Sequence, residues 1–298
     1  MNKVEKGLKL LVLDAGWVIL QHLLPSKTYL RLKYLVVFKR RLNLKHPVTF
    51  TEKLQWLKLY DYHPEYTKMV DKVDAKEYVA SIIGEQYIIP TLGVWESASK
   101  IDFDKLPDKF ILKCNHNSGE VVVCRDKSSL DICQARKMMS RLLKNNYYLV
   151  GRETPYKYVK RKIFAERLLE VPDGGGLVDY KFFCFDGKPE FLKINFDKDS
   201  VFSANYYDLD MALLPFGEEW PAPNPERLFE KPDNFETMID IASKLSKSLP
   251  FARIDLYNIE GKIYFGEITL YPTSGFGPFN NSEWDRRLGE KIKLPQII

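Results

Sequence analysis

The chain has 298 residues, enough for one large domain or two modest ones. Hydrophobic residues make up 45% and charged residues 29%, a balance that excludes a globally disordered protein. The 45 basic and 40 acidic residues leave a formal net charge of +5. This mild excess suits an anionic ligand and does not mark a nucleic-acid-binding protein, so we expect no nucleic-acid partner.

The four cysteines show neither a metal-binding nor a disulfide pattern. None forms a CxxC pair and none has a histidine at metal-ligand spacing; they are Cys114, Cys124, Cys133 and Cys184. A long chain with so few cysteines is typical of a reducing cytoplasm. We therefore expect a cytoplasmic protein in which all four thiols are buried as small apolar side chains.

The first 60 residues are predicted to be mainly helical and basic. An apolar stretch at 8–24 is interrupted by polar residues and, at about 17 residues, is short for a membrane-spanning helix. Seven Lys and Arg residues follow between Lys27 and Lys45. Two interpretations stay open and are compatible: a pair of helices packed on the main body, or a surface that rests on the anionic inner leaflet of the plasma membrane.

The central part of the chain is predicted to alternate between helices and strands. Apolar residues recur at helical spacing from Thr67 to Ile83, and Gly84 is a plausible stop. The next predicted segments are an extended stretch at 87–95, two strands at 110–114 and 121–124 around a polar loop at 115–120, a helix over 128–147, a strand at 162–166 and a glycine-rich loop at 173–176.

The C-terminal part is predicted to form two hairpins with a helix over 235–249 between them. Asp186-Gly187 is a strong two-residue turn signal between strands at 180–185 and 188–194. Ile259-Glu260-Gly261 is interpreted as a three-residue loop between strands at 251–258 and 262–269. The fold class that follows is α+β with mostly antiparallel strands.

The loop length of the second hairpin decides which side chains share a face. A three-residue loop pairs Asn258 with Lys262, so Arg253 lies opposite Glu267 and Asp255 lies diagonally beside Glu267 on the same face. A two-residue loop would place Glu267 on the other face. Two carboxylates on one face suit Mg²⁺, which binds one or two carboxylates together with substrate phosphates. The alternative is an exposed cross-strand ion pair.

Lys113 ends an apolar strand directly before a loop that contains Ser118 and Gly119. Backbone N–H groups in such a loop can surround phosphates, and a lysine at the strand end supplies a positive charge for them. His116 in the same loop is either functional or a hydrogen-bonding residue that orders the loop. The sequence contains neither GxGxxG after a strand nor the P-loop GxxxxGK[ST].

In this order, these segments resemble the TupA-like ATP-grasp family, which is associated with the synthesis of bacterial cell-surface polysaccharide and teichuronopeptide. The resemblance spans Pro47 to Leu294 and is carried by five motifs: Thr49–Trp56, Lys113–Gly119, Asp179–Gly187, Arg253–Tyr257 and Phe265–Thr269. It implies an ATP-grasp fold, in which two α+β subdomains of mostly antiparallel sheet clamp ATP. We expect a shortened helical N-terminal region at 1–60 and a catalytic region at 61–298, divided into about 100–170 and 171–298.

The resemblance also implies roles for matching residues. The implied ATP-binding residues are Lys72, Lys113, Ser118, Gly119, Glu166, Arg167, Leu168, Leu169, Asp179 and Lys181. Among them, Lys113 and Lys181 match phosphate ligands, and Lys72 matches a lysine that enters the nucleotide cleft from the preceding helix. The segment 166–169 matches the hinge that binds adenine, and Asp179 matches the acid that binds ribose. The implied catalytic residues are Arg253, Lys113 and Lys181, and the implied magnesium ligands are Asp255, Glu267 and Thr269. Thr269 stands where the superfamily usually has Asn, so the resemblance implies one Mg²⁺ more strongly than a second.

The predicted function is an ATP-dependent carboxylate–amine ligase that acts through an acyl phosphate. By resemblance, it joins an amino acid or amine to a uronic-acid or similar carboxylate during synthesis of capsule or surface polysaccharide. An alternative is a nucleotide-sugar glycosyltransferase, in which Asp208-Leu209-Asp210 would be the metal-binding DxD pair. A third is a binding or scaffold protein that has lost turnover.

Overall fold

The computed structural model describes residues 17, 19–171, 177–196 and 203–296. In these residues, two antiparallel sheets are surrounded by helices. The α-helices are α1 (Ser26–Phe38), α2 (Phe50–Tyr60), α3 (Pro64–Val70), α4 (Asp74–Ile83), α5 (Ile132–Leu143), α6 (Tyr147–Gly151), α7 (Phe235–Ser246) and α8 (Ser282–Lys291), and a short helical stretch at 19–23 precedes α1. The predicted glycine-rich loop and most of the apolar stretch at 8–24 lie outside the described residues.

The first sheet has four strands, in the spatial order β1, β4, β2, β3. The strands are β1 (Thr91–Trp95), β2 (Phe110–Cys114), β3 (Val122–Cys124) and β4 (Ile163–Arg167). One face of this sheet packs on α5 through a small core that contains Phe110, Leu112, Met139 and Ile163. The other face carries Lys113 and Glu166 and forms one wall of the cavity described below, which Lys76 of α4 also lines.

The second sheet has five strands, in the spatial order β7, β6, β5, β8, β9. The strands are β5 (Asp179–Phe185), β6 (Lys188–Phe196), β7 (Ser203–Asp208), β8 (Phe251–Ile259) and β9 (Lys262–Thr269). One face packs on α7, where the rings of Phe182 and Phe235 are 5.6 Å apart. The other face is aromatic at one end, where Phe251 meets Phe50 of α2 at 5.0 Å, and polar at the other.

These sheets confirm the predicted α+β class and most of the strands. The helix predicted over 128–147 is two helices, α5 and α6, and the extended stretch at 87–95 begins with a 3₁₀ turn before β1. Strand β7 and helix α8 were not predicted. Three cysteines are buried as expected, but the prediction for Cys133 is wrong, because it lies exposed in the first turn of α5.

The helix predicted from Thr67 to Ile83 is broken at Asp71. The Asp71 carboxylate accepts hydrogen bonds from the backbone N–H groups of Val73 (2.9 Å) and Asp74 (3.3 Å). The N–H of Lys72 donates to the carbonyl of Asn115 at 3.1 Å instead of to its own helix. An aspartate that binds nearby amides in this way starts a new helix. The break separates α3 from α4 and places Lys72 in the junction.

The predicted register of the last hairpin is wrong, but its two carboxylates still share one face. The loop has two residues, Glu260 and Gly261, both at positive φ (49° and 80°), and Ile259 pairs with Lys262. A β-bulge at Gly266 then adds one residue to β9, so Glu267 pairs directly with Asp255. The bulge reverses the change of face that a two-residue loop alone would cause.

The Thr49–Trp56 motif forms the start of α2 and holds a turn that follows β9. Thr49 and Glu52 make a capping box at the helix start. Further along α2, Gln55 donates to the carbonyl of Gly275 at 2.8 Å, and the buried Lys58 donates to that of Ser274 at 2.5 Å. Thr273 and Ser274 both have positive φ (50° and 52°), a strained conformation outside glycine, so these contacts support a strained turn.

Helix α1 packs on the main body, as the first of the two interpretations of the N-terminal region predicted. Tyr29, Leu30 and Tyr34 are buried, and the Tyr34 hydroxyl bonds that of Thr51 in α2 at 2.9 Å. The opposite side of α1 is exposed. Among the described residues, no helix combines the length and the apolarity that crossing a membrane requires.

Candidate functional site

A cavity of about 320 Å³ lies between the polar faces of the two sheets. Sheet 1 contributes β2 and β4, sheet 2 contributes β5, β8 and β9, and the junction of α3 with α4 and the loop after β2 complete the wall. Its charged side chains are Lys72, Lys76, Lys113, Glu120, Glu166, Asp179, Lys181, Arg253, Asp255 and Glu267. Lys113 therefore lies in the same cavity as the two carboxylates of the last hairpin.

On the side of sheet 1, one buried carboxylate holds two lysines. Glu166 on β4 accepts from Lys113 at 2.6 Å and from Lys76 at 2.7 Å. Burial would raise the pKa of Glu166, but the two ammonium groups outweigh it and the pKa falls below its usual value. Glu166 is therefore ionised at neutral pH, and both lysines are oriented toward the cavity.

On the side of sheet 2, Asp255 lies at the centre of a network of charges. Arg253 donates to it through Nε and Nη2, each at 2.7 Å, and Lys181 donates at 2.7 Å. Lys181 also bonds Asp179. Burial, and then the charge of Asp255, raises the pKa of Asp179, and Asp179 Oδ1 has no hydrogen-bond partner among the described residues. That buried oxygen is free to accept a hydrogen bond from a ligand.

Glu267 completes the network at the edge of sheet 2. It accepts from the Thr269 hydroxyl at 2.7 Å and faces Lys72 at 3.5 Å. Burial acts to raise its pKa, but Lys72 and Arg253 lower it to about 2. Because the carboxylate is ionised at every physiological pH, it can neutralise a cation without first losing a proton.

The loop after β2 is anchored by its buried residues, while its tip is exposed. Asn115 donates to Asp71 at 2.8 Å and accepts from the N–H of Lys162 at 2.7 Å. Buried His116 donates from Nε2 to the carbonyl of Asn145 at 3.0 Å, and burial lowers its pKa to about 4. His116 is thus a neutral residue that orders the loop. Ser118 and Gly119 form the exposed tip, where Gly119 has a φ of 99°.

The comparisons with known proteins agree with this architecture. A model of the family described as TupA-like ATPgrasp matches residues 52–293. This chain belongs to the TupA-like ATP-grasp family. The match confirms the predicted family and, together with the two antiparallel sheets, the predicted ATP-grasp fold, which places the chain in the ATP-grasp ligase superfamily. A search of curated proteins found no match.

Solved structures of ATP-grasp enzymes are similar to this chain at low identity. They include the D-alanine–D-alanine ligase of Bacillus anthracis complexed with ATP (17% identity, 68% of this chain and 53% of that one, TM-score 0.38). The D-alanine–D-alanine ligase of Helicobacter pylori matches at 14% identity (83% and 68%, TM-score 0.43). An N5-carboxyaminoimidazole ribonucleotide synthetase with ADP matches at 15% (74% and 50%, TM-score 0.44). The chain spans about half the length of the first and third.

Most residues that the ATP-grasp resemblance singled out line the cavity, and four do not. Arg167, Leu168, Leu169 and Thr269 lie outside its wall. The N–H of Arg167 donates to the carbonyl of Pro90 at 3.1 Å, so this amide is already bonded within the protein. The side chain of Glu166 is bound by two lysines. The adenine role of 166–169 stays a prediction.

Sequence reasoning missed several residues of the wall. Lys76, on the first turn of α4, was read only as part of an amphipathic helix, although it lies four residues after Lys72. Tyr257 and Phe265 on the last hairpin line the cavity as apolar surfaces. The side chain of Asn117 donates to the carbonyl of Leu142 at 2.8 Å and so fixes the loop tip. Asn117 also lines the cavity.

The carboxylates fit a magnesium ion that is shared with a ligand. Asp255 and Glu267 are directly paired on β8 and β9 and present hard oxygen atoms into one cavity. Within the described ranges, no group of three or more His, Cys, Asp or Glu could hold a metal by itself. Mg²⁺ commonly takes one or two carboxylates and completes its shell with phosphate and water. Thr269 has its hydroxyl engaged by Glu267 and Arg253.

The pair Asp208 and Asp210, which carried the glycosyltransferase alternative, lies away from this cavity. Asp208 ends β7, and its carboxylate accepts from the N–H groups of Asp210 (3.0 Å) and Ala212 (2.8 Å). This is the geometry of a carboxylate that closes its own turn. No observation in the structure favours that alternative.

Proposed function

We propose that this protein is an ATP-dependent carboxylate–amine ligase that acts through an acyl phosphate. The observation that carries the proposal is the cavity between the sheets, where five cationic side chains meet a paired set of carboxylates. A triphosphate with a bound divalent cation is complementary to both sets: its negative oxygens match the cationic side chains, and its positive metal matches the carboxylates. ATP-grasp family membership agrees with this assignment.

The cavity cations form ion pairs with the cavity carboxylates. A magnesium ion held by Asp255 and Glu267 would neutralise negative charge on the phosphates and the attacking oxygen. Arg253, Lys181 and Lys72 then exchange their carboxylate partners for phosphate oxygens, so few charges in the cavity are left unpaired. On sheet 1, Lys113 and Lys76 approach the phosphates from the opposite wall.

The proposed chemistry has two steps. A substrate carboxylate oxygen attacks the γ-phosphorus, which forms the acyl phosphate and breaks the bond to the bridging oxygen of ADP. An amine then attacks the acyl carbon, phosphate leaves, and the amine loses a proton to form the amide. Arg253, Lys113 and Lys181 stabilise the negative charge that develops on the transferred phosphoryl group. No side-chain nucleophile is required.

For the substrates, we propose a uronic-acid or similar carboxylate and an amino acid or amine, within the synthesis of capsule or surface polysaccharide. The support is the family's association with cell-surface polysaccharide. Asp179, with its unpartnered buried oxygen, is proposed to bind the ribose of ATP, and the loop tip at Ser118 and Gly119 to cover the phosphates.

ADP release tests the proposal. Wild-type protein with Mg-ATP is incubated with D-glucuronate or D-galacturonate paired with single amino acids, and ADP is measured by a coupled assay. We expect ADP only when both a carboxylate and an amine are present. Stabilisation against heat by Mg-UDP-sugars, with none by Mg-ATP, would instead favour the glycosyltransferase. Binding of ATP without ADP release from any pair would favour the scaffold protein.

A further inference from the structure

We propose that the outer face of α1 docks on an anionic lipid bilayer. This outer face consists of Leu32, Leu35 and Val36, with Arg31 and Lys39 around them. The proposal is independent of the ligase chemistry, because none of these residues lines the cavity.

The apolar part of the outer face is a continuous stripe. Leu32, Leu35 and Val36 follow helical i, i+3, i+4 spacing, so they lie side by side, and 36%, 43% and 39% of their surfaces are exposed. In the preceding helical stretch, Ile19 and Leu23 are also exposed, by 60% and 72%. Because Tyr29, Leu30 and Tyr34 are buried on the protein side, α1 is apolar on both sides. A helix of this kind needs a second apolar environment.

The charges around this stripe have one sign. Residues 15–51 contain seven Lys and Arg and no Asp or Glu. Three of the seven contact the main body: Lys33 donates to the carbonyl of Val150 at 2.8 Å, Arg40 binds Asp285 at 2.6 Å, and the ammonium group of Lys27 lies over the ring of Tyr60 at 5.9 Å. The remaining four are Arg31, Lys39, Arg41 and Lys45. None of these four forms an ion pair with any residue that the structure describes.

An anionic bilayer matches both features. An interfacial helix places its apolar side among the acyl chains, while lysine and arginine beside it meet the lipid phosphates. Long basic side chains can also lay their methylene groups on the apolar surface and extend the charge to the headgroups. A protein partner would need both an apolar groove and a matching row of acids, whereas the membrane surface supplies both at once.

Vesicle co-sedimentation of the full chain tests the proposal. We expect the protein to pellet with phosphatidylcholine–phosphatidylglycerol vesicles at low salt, and to stay in solution with phosphatidylcholine alone. The variant Arg31→Gln/Lys39→Gln lowers the partition coefficient by about 25-fold, since each basic residue near the surface contributes about fivefold. Leu35→Ser/Val36→Ser lowers it by about tenfold.

Matched control variants test whether binding depends on the outer face of α1 or only on the total charge and the total exposed apolar surface of the protein. Lys137→Gln/Lys144→Gln removes the same charge from other exposed sites. Val123→Ser/Ile132→Ser removes apolar side chains whose exposed fractions, 43% and 39%, equal those of Leu35 and Val36. The charge control lowers the partition coefficient by far less than the α1 charge variant, and the apolar control leaves it unchanged.

Four results would overturn the proposal. The first is that the protein pellets equally with neutral vesicles, and the second is that the charge variant still binds anionic vesicles. The third is that binding appears only after residues 1–16 are deleted. The fourth is that the protein forms a dimer without lipid and that Leu35→Ser/Val36→Ser dissociates this dimer. The third would assign the face to the chain's own N-terminal segment, and the fourth to a second copy of the chain.

Discussion

At the scale of single residues, the negative charge of Glu267 is the feature of the cavity whose loss we expect to affect activity most. Its carboxylate is paired with Asp255 in register, faces Lys72 and has a pKa of about 2. We expect Glu267→Gln to abolish ADP release while the fold is retained, because the side chain keeps its shape and loses only its charge. ADP assays and circular dichroism check this. Wild-type turnover in the variant would exclude Glu267 as an essential metal ligand.

The same residue predicts a pH dependence of stability. Its folded-state pKa lies below that of an ordinary glutamate, so its ionisation stabilises the fold above about pH 4.5, and this stabilisation is lost as the pH falls toward 2. We expect Glu267→Gln to remove about 2 kcal/mol of this dependence. Urea unfolding at a series of pH values measures it. If the free energy of unfolding changed with pH in the same way for wild type and variant, this result would contradict an ionised Glu267 in the folded protein.

Lys58 provides a second test, which concerns the fold and not the chemistry. It is fully buried in α2, and its ammonium group donates to Gln55, to the Gly151 carbonyl and to the Ser274 carbonyl. Lys58→Met leaves the Gln55 side-chain oxygen and the Gly151 carbonyl without this donor, while Ser274 keeps a 3.3 Å bond from Gln55, and we expect the free energy of unfolding to fall by about 3 kcal/mol. Denaturant unfolding measures the loss. The control is Lys53→Met, five residues earlier, where a half-buried lysine loses a single hydrogen bond, to the carbonyl of Ile292 (2.8 Å). An equal effect there would point to helix α2 in general.

At the scale of elements, the bulge in β9 decides the geometry of the cavity. A Cβ added to Gly266 would lie 3.0 Å from the carbonyl oxygen of Asp255 and 3.1 Å from the ring of Tyr257. Gly266→Ala is therefore expected to displace Glu267 from Asp255 and to reduce kcat for ADP release at least tenfold, with a smaller effect on stability. Lys262→Ala, on the same strand but before the bulge, is expected to retain wild-type kcat. Full activity of Gly266→Ala would show that the bulge does not position Glu267.

The sequence was sufficient for some elements because their signals are local. The first hairpin of sheet 2 follows from alternating apolar residues around Asp186-Gly187, whose φ values of 51° and 75° match the expected turn. The register of the last hairpin could not be predicted, because a bulge depends on contacts between strands and leaves no turn signal. The break at Asp71 was missed for a similar reason: it depends on Asn115, 44 residues later.

The candidate site shows the same division. Lys113, Asp255 and Glu267 were found because their motifs lie on strands, where the direction of a side chain follows from the alternation of the two faces. Lys76 was missed because a lysine on an amphipathic helix looks the same whether it faces solvent or a cavity. Only the tertiary contact with Glu166 distinguishes the two cases.

At the scale of the whole molecule, the cavity joins two sheets that have separate hydrophobic cores. A nucleotide that contacts both walls should stabilise them together. With a nonhydrolysable Mg-ATP analogue at about 100 times its Kd, we expect an increase in Tm of about 5 °C. Lys113→Met in sheet 1 and Arg253→Met in sheet 2 should each reduce this increase, while Lys109→Met, just before β2, should not. A full increase in either cavity variant would contradict binding across both sheets.

The short junction between α3 and α4 connects both walls directly. Lys72 reaches Glu267 on one sheet, and Lys76, four residues later, reaches Glu166 on the other. Asp71 and Asn115 bind the start of this segment to the loop after β2. Only four residues of backbone therefore separate the two lysines that reach the opposite walls, and we expect a ligand that displaces one of them to shift the other as well.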